Sequence, residues 1–403
     1  MPKALIIGSG VAGPATALLL RRAGWDVELF EADPAPDPYA GLFLNVATNG
    51  LGVLSLLGLR ERLLADAHPA ARMVLWSSSG KVLGTMPNGP VGEPERGGVI
   101  VRRAWLHQVL RDAVAEAGIP LTPGARLTDI DETPTAVRAT FADGSTAEGD
   151  ILVGCDGIRS RTRTWIDPQA PAPTYTGLVG LGGFVTVEGL APTVGEQHFL
   201  FGRRSFFGHL VRHDGTVYWF ANVTVRGSEA DVRRIGSQGW LARLRDLHGD
   251  DPAPVPQILD AVHGELRAYP IHDLVGVRRW SRGRVVALGD AVHATSPSVG
   301  QGVALALEDA VALAACLRDA ADHTAAFAAY QGMRQERVGR VVGYARAVNA
   351  QKRVTKSRVG VAIRDAMMPL FLRRAGQDAR NDWLYNETVG GEVVAGPAPS
   401  SRP

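Results

Sequence analysis

Residues 4–31 read ALIIGSGVAGPATALLLRRAGWDVELFE. The short apolar run at 4–7 ends in glycines, which is typical of a strand buried on both faces of a parallel sheet. Residues 14–23 predict a helix, because proline is tolerated in a first helical turn and Gly24 favours a stop. A second strand over 27–31 follows. The stretch therefore predicts a strand-helix-strand unit.

Three glycines of this stretch, Gly8, Gly10 and Gly13, form a G-x-G-x-x-G sequence between the strand and the helix. Gly8 permits a tight turn, Gly10 lets the backbone approach a pyrophosphate, and Gly13 allows close packing of helix on strand. Val11 and Ala12 stand where the helix begins, and a helix N-terminus offers free N–H groups to phosphates. The sequence predicts a dinucleotide site.

Glu31 stands at the end of the second strand. Its carboxylate is placed to accept hydrogen bonds from the ribose hydroxyls of an adenosine, and its charge would repel a 2′-phosphate. FAD or NAD therefore suits this loop better than NADP. A glycine-rich turn that binds nothing is the alternative, and the full strand-helix-strand context disfavours it.

Two segments far downstream bear on the choice between FAD and NAD. Residues 153–163 read VGCDGIRSRTR, which places an acidic residue and glycines at the end of an apolar strand. Residues 283–302 read GRVVALGDAVHATSPSVGQG and are followed by Glu308 and Asp309. A strand, an aspartate at its end and a Gly-x-Gly helix start predict a second anion-binding geometry in the same chain.

The three segments together resemble the three signatures of the class A flavoprotein monooxygenases, the family of p-hydroxybenzoate hydroxylase. Their order and spacing agree with that family, and the resemblance covers roughly residues 3–345. It implies an α/β fold: a three-layer Rossmann-like FAD-binding domain with an inserted, mainly β substrate domain and C-terminal helices. It further implies that NADH or NADPH reduces FAD, and that a flavin C4a-hydroperoxide then transfers one oxygen atom to an aromatic ring.

The resemblance also assigns roles to single residues. Asp290 is similar to the aspartate that binds the ribityl chain, Arg103 to an arginine bordering the flavin, and Asp156 to a residue near the pyrophosphate. Pro297, Gly300 and Gly302 would lie beside the isoalloxazine ring, where we expect the chemistry. The full set expected to bind the cofactor is Gly8, Gly10, Val11, Ala12, Gly13, Glu31, Arg103, Asp156, Gly289, Asp290, Gly300, Gln301, Gly302 and Val303.

Two residues need separate comment. Ala304 stands where many members of the family have asparagine, so the usual side-chain contact to the flavin is expected to be absent. His293 follows Asp290 by three residues; we expect it to pack beside the flavin chain, with a role as acid or base as the alternative.

The substrate is expected to bind over the second sheet, which the glycine-rich and aromatic residues from about 175 to 226 predict. His209, Phe199 and Phe207 are the candidates to line the pocket, although alternation of this kind is more often sheet core. The resemblance ranks a phenolic or fused-ring aromatic substrate first. The chain itself does not choose between hydroxylation, epoxidation and Baeyer–Villiger oxidation.

Other activities of the same fold stay open. A halogenase would carry a Trp-x-Trp-x-Ile-Pro motif, which this sequence lacks, and Lys81 is the only lysine between the first two signatures. A reductase of double bonds would work without oxygen. A flavin-bound protein without turnover is the alternative that is not an enzyme.

Composition restricts the partners. Forty-three basic and 41 acidic residues give a formal net charge of +2, so we expect neither nucleic acid nor a membrane surface as partner. Two cysteines without a CxxC or a histidine cluster predict no metal site and fit the cytoplasm. The N-terminal apolar run lacks the charge order of a signal peptide. We expect a small-molecule partner, O2, and a monomer or homodimer.

The pattern along the chain predicts domain limits. Residues 1–70, 97–170 and 268–330 are assigned to the FAD-binding domain, and residues 71–96 and 171–267 to the β-sheet substrate domain. Residues 331–390 are expected to be helical and 391–403 to form a flexible tail. Residues 42–68 are predicted to be mainly helical, and a hairpin is predicted between 73 and 86.

Overall fold

The computed structural model describes residues 1–35, 41–351, 358–375 and 379–386. The predicted tail at 391–403 and part of the predicted C-terminal helical region lie outside the described residues. The strands are β1 (Lys3–Ile7), β2 (Asp26–Phe30), β3 (Phe43–Val46), β4 (Ala67–Pro69), β5 (Arg72–Ser77), β6 (Val82–Pro87), β7 (Val99–Arg102), β8 (Leu121–Thr122), β9 (Leu127–Glu132), β10 (Val137–Phe141), β11 (Thr146–Gly149), β12 (Ile151–Gly154), β13 (Thr174–Thr186), β14 (Glu196–Phe201), β15 (Phe206–Val211), β16 (Thr216–Thr224), β17 (Tyr269–Asp273), β18 (Ser281–Arg282) and β19 (Val285–Ala287).

The α-helices are α1 (Ala12–Arg22), α2 (Thr48–Leu56), α3 (Arg60–Leu64), α4 (Arg103–Glu116), α5 (Arg161–Ile166), α6 (Glu229–Arg234), α7 (Gly236–His248), α8 (Val255–Asp260), α9 (Asp290–His293), α10 (Gly302–Asp319), α11 (His323–Gln351) and α12 (Arg358–Ala375). Short 3-10 turns occur at Pro94–Arg96, Pro297–Val299 and Ala379–Leu384. The predicted helix after the first strand and the predicted hairpin of β5 and β6 are both present.

The first sheet has the strand order β18-β19-β12-β1-β2-β8, and its central pairings are parallel. Its two faces are covered differently. Ile6 faces α1, where it contacts Gly13, and Leu5 faces the antiparallel sheet β11-β10-β9, where it contacts Gly149. The Phe30 ring of β2 stacks on Phe141 of β10 with centroids 4.6 Å apart. Helices, parallel sheet and antiparallel sheet thus form the three layers that the sequence predicted.

The second sheet has the order β17-β13-β16-β15-β14-β5-β6 and joins segments that are distant in the chain. Strand β17 pairs with β13, although residues 268 onward were assigned to the FAD-binding domain. That limit is corrected, because Tyr269–Asp273 forms the edge of the second sheet. The other predicted domain limits stay a prediction.

The region 42–68 is only partly helical. Strands β3 and β4 flank α2 and α3, and both pair with β7 in a small antiparallel sheet. A strand of four or of three residues is too short to show a clear alternation of apolar and polar side chains. The pairing with β7, which is remote in the chain, decides the local structure here.

Candidate flavin and substrate site

The loop between β1 and α1 has the geometry that its glycines predicted. Gly8 has φ +103°, and a Cβ there would overlap the carbonyl oxygen of Cys155 at the end of β12. A Cβ on Gly13 would overlap the carbonyl oxygen of Gly8. A Cβ on Gly10 would meet no atom within 4 Å. Gly8 and Gly13 therefore serve close packing, whereas Gly10 presents open backbone.

The N-terminus of α1 is uncapped. Val11 occupies the N-cap position and makes no side-chain capping bond. The N–H groups of the first turn of a helix have no acceptor within the helix, and they carry the positive end of the helix dipole. Gly10, Val11 and Ala12 thus offer donors of the kind that bind phosphate oxygens.

Glu31 is held beside this loop. Its Oε2 accepts the N–H of Ser9 at 2.7 Å, and its Oε1 accepts the N–H of Asp33 at 3.0 Å. Each carboxylate oxygen has a second lone pair, so Glu31 can still accept hydroxyl groups.

Asp156 lies at the neighbouring strand end, and its Cα would be 3.2 Å from a Cβ on Gly8. Its carboxylate serves the chain itself: Oδ2 accepts the N–H and the hydroxyl of Thr162, both at 3.0 Å, and Oδ1 accepts the hydroxyl of Ser160 at 2.5 Å. These bonds fix the start of α5. The structure thus places Asp156 next to the glycine loop but gives its carboxylate a structural task.

Asp290 follows β19 and lines a concavity. Its side chain is exposed to solvent, yet protein surrounds it closely enough that burial raises the pKa of its carboxyl group, with His293 and Arg103 acting in the opposite direction. An accessible carboxylate deep within a protein is typical of a binding site. Arg103 begins α4 and is exposed. A Cβ on Gly41, which has φ +73°, would overlap the Arg103 side chain, so glycine at this position leaves room for it.

Gly289 brings the strand ends together. With φ +63°, its added Cβ would lie 3.3 Å from Ala12 of α1 and 3.5 Å from Ala306 of α10. Its N–H donates to Oδ2 of Asp309 at 3.0 Å. The loops after β1 and β19 and the helix α10 therefore converge at one point.

A second uncapped helix N-terminus borders the same region. Gln301 is the N-cap residue of α10 without a side-chain capping bond, Gly302 opens the helix with free space around it, and Val303 is partly buried. Gly300 has φ +62°, and its carbonyl accepts the Asn45 amide at 3.4 Å. The exposed Pro297 lies in the preceding turn.

No sequence pattern singled out Asn49 of α2 as a residue of this region. Its Nδ2 donates to Gln301 Oε1 at 3.0 Å and to Glu308 Oε1 at 2.6 Å. Asn49 Oδ1 and Gln301 Nε2 are buried atoms for which the described structure offers no partner. Ala304 is fully buried and packs against Gly50 of α2.

Behind this site lies a buried ionic network between α10 and α11. Glu308 accepts from Arg334 at 2.6 Å and from Arg337 at 2.8 and 2.9 Å, and Asp309 accepts from Arg334 at 2.8 Å. His293 Nε2 lies 2.5 Å from Asp309 Oδ2 and is buried. Burial raises the pKa of Asp309, but the charges of His293 and Arg334 outweigh it and lower that pKa overall. His293 is therefore buried against Asp309, and its expected position beside the flavin chain stays a prediction.

These features fit FAD. Open backbone at Gly10, the uncapped starts of α1 and α10, the accessible Asp290 carboxylate and the unpartnered Gln301 amide lie on segments that converge at Gly289. They supply donors for a pyrophosphate, an acceptor for ribityl hydroxyls and polar groups for a pyrimidine edge. Among the residues that the structure describes, no group of His, Cys, Asp and Glu side chains forms a metal site.

The second sheet presents two different faces. Its inner face, defined by Phe199, Phe206 and Phe220, looks toward β3: the Phe220 ring lies 5.9 Å from that of Phe43. Its outer face packs against α7 and α8. Phe199 is partly exposed on the inner face, which agrees with a substrate-lining position.

Phe207 and His209 lie on the outer face, and here the sequence interpretation is corrected. Phe207 is fully buried, stacks on Trp219 with centroids 5.6 Å apart and contacts His248 of α7. His209 is buried beside His198. Side chains of a strand alternate between faces, so residues 207 and 209 cannot share the face of Phe206.

Comparison with known proteins agrees with this geometry. A family model described as an FAD binding domain matches residues 1–345. The chain is 32% identical over 339 residues to the aurachin C monooxygenase/isomerase of Stigmatella aurantiaca, covering 83% of this chain and 85% of that protein. It is 32% identical over 351 residues to an FAD-dependent urate hydroxylase of Klebsiella pneumoniae, covering 85% and 88%.

A solved structure is also similar: Klebsiella pneumoniae HpxO complexed with FAD and uric acid has a TM-score of 0.82 at 27% identity, covering 95% of this chain and 97% of that one. In the part of the chain that the structure describes, no helix has the length and apolar character needed to cross a bilayer. With its three signatures, the flavin-fitting concavity and the match over residues 1–345, the chain belongs to the FAD-binding-domain family and, within it, to the class A flavoprotein monooxygenases.

Proposed function

We propose that this protein uses FAD, NADH or NADPH, and O2 to hydroxylate a small aromatic molecule. The observation that carries the proposal is the convergence at Gly289 of two helices with uncapped N-termini and of the loop that bears the accessible Asp290 carboxylate. The similar aurachin C monooxygenase/isomerase and urate hydroxylase support this reaction class.

The residues proposed to hold FAD are those expected from the sequence, with the exception of Asp156. The start of α1 would receive the pyrophosphate, Glu31 the adenosine ribose, and Asp290 the ribityl hydroxyls. Pro297, Gly300 and Gly302 would border the reacting ring. Asp156 is proposed to act by shaping the loop through Thr162 and not by direct contact.

Bound FAD would accept hydride from the nicotinamide and activate O2. The chain's own contribution is positional and electrostatic. Negative charge near the start of α10 would be stabilised by free N–H groups of Gly302 and Val303. The apolar inner face would hold the aromatic ring and exclude water from the reacting atoms. The amide of Gln301, fixed by Asn49, would add a donor.

The finer assignments on partners are proposals as well. The substrate is proposed to be a phenolic or fused-ring aromatic, and the assembly a monomer or homodimer. A cytoplasmic location is proposed, for which the support is that Cys155 and Cys316 are free thiols.

The test is oxidation of NADH and NADPH by the FAD-loaded protein in air, with and without phenols, hydroxyquinolines and polyketide aromatics. We expect one class to stimulate oxidation and to yield a product that carries one oxygen atom from labelled O2. Turnover that persists without oxygen would support a reductase, and a chloride-dependent product a halogenase. Tight FAD binding without oxidation in any combination would leave a protein without turnover.

A further inference from the structure

Among the described strand residues of the second sheet, the one charge on the inner face is Asp273 at the β17 edge, where its Oδ1 accepts the N–H of Ser296 at 3.0 Å. On β5, β6 and β13 to β16, strand alternation and register place only apolar residues, glycines and neutral polar residues on this face. Phe199, Phe220 and Asn222 illustrate the set. The charged strand residues, such as Arg72 and Glu196, point to the outer side and pair with each other at 2.9 Å.

Two arginines that contact this face, Arg212 and Arg364, are already paired. Arg212 donates to the Tyr218 hydroxyl, but its guanidinium also binds Asp66 at 2.6 Å. Arg364 of α12 donates to the Phe201 carbonyl at 3.1 Å and pairs with Asp365 at 2.8 Å. A carboxylate brought to the inner face would therefore lose water without gaining an unpaired cation from either of these two arginines, which is costly.

The apolar surface is longer than one aromatic ring. Partly exposed aromatic rings at Phe220 and Phe199 give way, toward β5 and β6, to the partly exposed Met73 and Met86. From β16 to β6 there are four strand spacings, or about 19 Å. Half-buried methionines form an adaptable apolar surface.

Helix α12 closes the far end of this surface. A Cβ on Gly84 would lie 3.0 Å from the Leu372 side chain, so glycine lets the helix approach the sheet. Met368 of the same helix packs with Met73 and Met86 beside the buried Leu75. The apolar surface therefore ends against the aliphatic side chains of α12.

We propose that the substrate is an uncharged aromatic molecule with an aliphatic extension, its ring on Phe199 and Phe220 and its chain toward Met73 and Met86. The proposal rests on the proposed function for the placement of the reacting ring. Asn222, on the same face, supplies a neutral group that can donate to or accept from a phenol or ring carbonyl.

The first test measures how tightly a series of probes binds to the FAD-loaded protein without NAD(P)H. The change in flavin absorbance reports the binding. The probes are 4-hydroxyquinolines with a 2-methyl, 2-butyl or 2-heptyl chain, and the heptyl compound with a terminal carboxylate. We expect about threefold tighter binding per added methylene and a loss of about 100-fold on adding the carboxylate. Equal binding along the series, or tighter binding of the carboxylate, would overturn the proposal.

A variant tests the location. Met73→Arg places a cation on the inner face, and we expect it to bind the carboxylated probe about tenfold better than wild type and the neutral heptyl probe about tenfold worse. Val194→Arg adds the same charge at a position that is 61% exposed, and should change neither. FAD content reports folding. If Met73→Arg does not fold, Met86→Ala tests the location instead. We expect Met86→Ala to weaken binding of the heptyl probe but not of the methyl probe.

The outcomes separate this inference from the proposed function. Tight, chain-dependent binding without any stimulated NAD(P)H oxidation would remove the proposed function and keep the substrate class. Oxygenation of a compact or carboxylated aromatic, with no effect of chain length, would remove the substrate class and keep the proposed function.

Discussion

The backbone N–H of Gly289 donates to the Oδ2 atom of Asp309 over 3.0 Å. The same oxygen lies 2.5 Å from Nε2 of His293, and the other carboxylate oxygen accepts from Arg334 at 2.8 Å. Asp309 thereby ties the loop that carries Asp290 to the two long helices behind it. Asp309 need not touch the cofactor, but it is in a position to fix Asp290, which is proposed to bind FAD.

Asp309→Asn should weaken both the fold and the hold on FAD. Arg334 would lose a buried anionic partner, so we expect the free energy of unfolding to fall by about 3–5 kcal/mol. The loop at Gly289 would lose its fixed acceptor, so FAD should dissociate about tenfold faster. Flavin fluorescence after dilution measures the release, and urea unfolding measures the stability.

Asp251→Asn is the matched control. Asp251 is buried, and its carboxylate lies 2.7 Å from the ring of His248. Unlike Asp309, it lies beside α7, on the outer face of the second sheet. It should lower stability without changing FAD release. Equal acceleration in both variants would mean that Asp309 acts only through general stability.

Asp290→Ala should chiefly impair FAD retention. The side chain is exposed in the concavity, and no hydrogen bond of the chain depends on it in the described structure. Loss of a charged acceptor for hydroxyl groups should raise the dissociation constant of FAD about 10- to 100-fold. Titration of the FAD-free protein measures this. Asp167→Ala removes the same charge beyond α5 and should retain wild-type affinity for FAD. Wild-type affinity in Asp290→Ala as well would contradict the assignment of Asp290.

Gly10 and Gly13 should respond to alanine in opposite ways. At Gly10 the new methyl meets nothing within the protein, so the FAD-free protein should keep its stability while FAD binding weakens about tenfold or more. At Gly13 it overlaps the Gly8 carbonyl, and we expect a loss of about 2 kcal/mol or more without any ligand. Thermal unfolding of FAD-free protein together with FAD titration separates the two. Wild-type FAD affinity in Gly10→Ala would exclude a pyrophosphate at this loop.

The parts of the site that local sequence encodes were predictable. Gly8, Gly10 and Gly13 act through turn geometry and helix packing within a few residues, and a pattern at fixed spacing reports both. Asp290 follows its strand in the same direct way. The resemblance of three segments then fixed the family.

The rest depended on contacts between distant segments. Asn49 reaches Gln301 from a helix 252 positions away, and nothing in its own neighbourhood signals that its amide binds there. Phe199 and Phe207 belong to different strands, so alternation within one strand could not relate their faces. Only the pairing of Phe199 with Gly208 places Phe207 on the other side.

His209 should make stability depend on pH. Burial, and then the charge of His198, lowers its pKa from 6.5 to about 3. Below pH 6.5 the unfolded chain binds a proton here that the folded chain refuses, so stability is lost progressively as the pH falls from about 6.5 toward about 3. From about pH 7.5 to about pH 5, wild type should lose about 2 kcal/mol more than His209→Leu.

Urea unfolding of both proteins at the two pH values, with saturating FAD, measures this difference. His107, whose pKa burial lowers to about 4, is present in both proteins, so its contribution cancels. Parallel loss of stability in wild type and variant would show that His209 is reached by water and protonated in the folded state. That result would contradict its packing between Phe207 and His198 on the outer face.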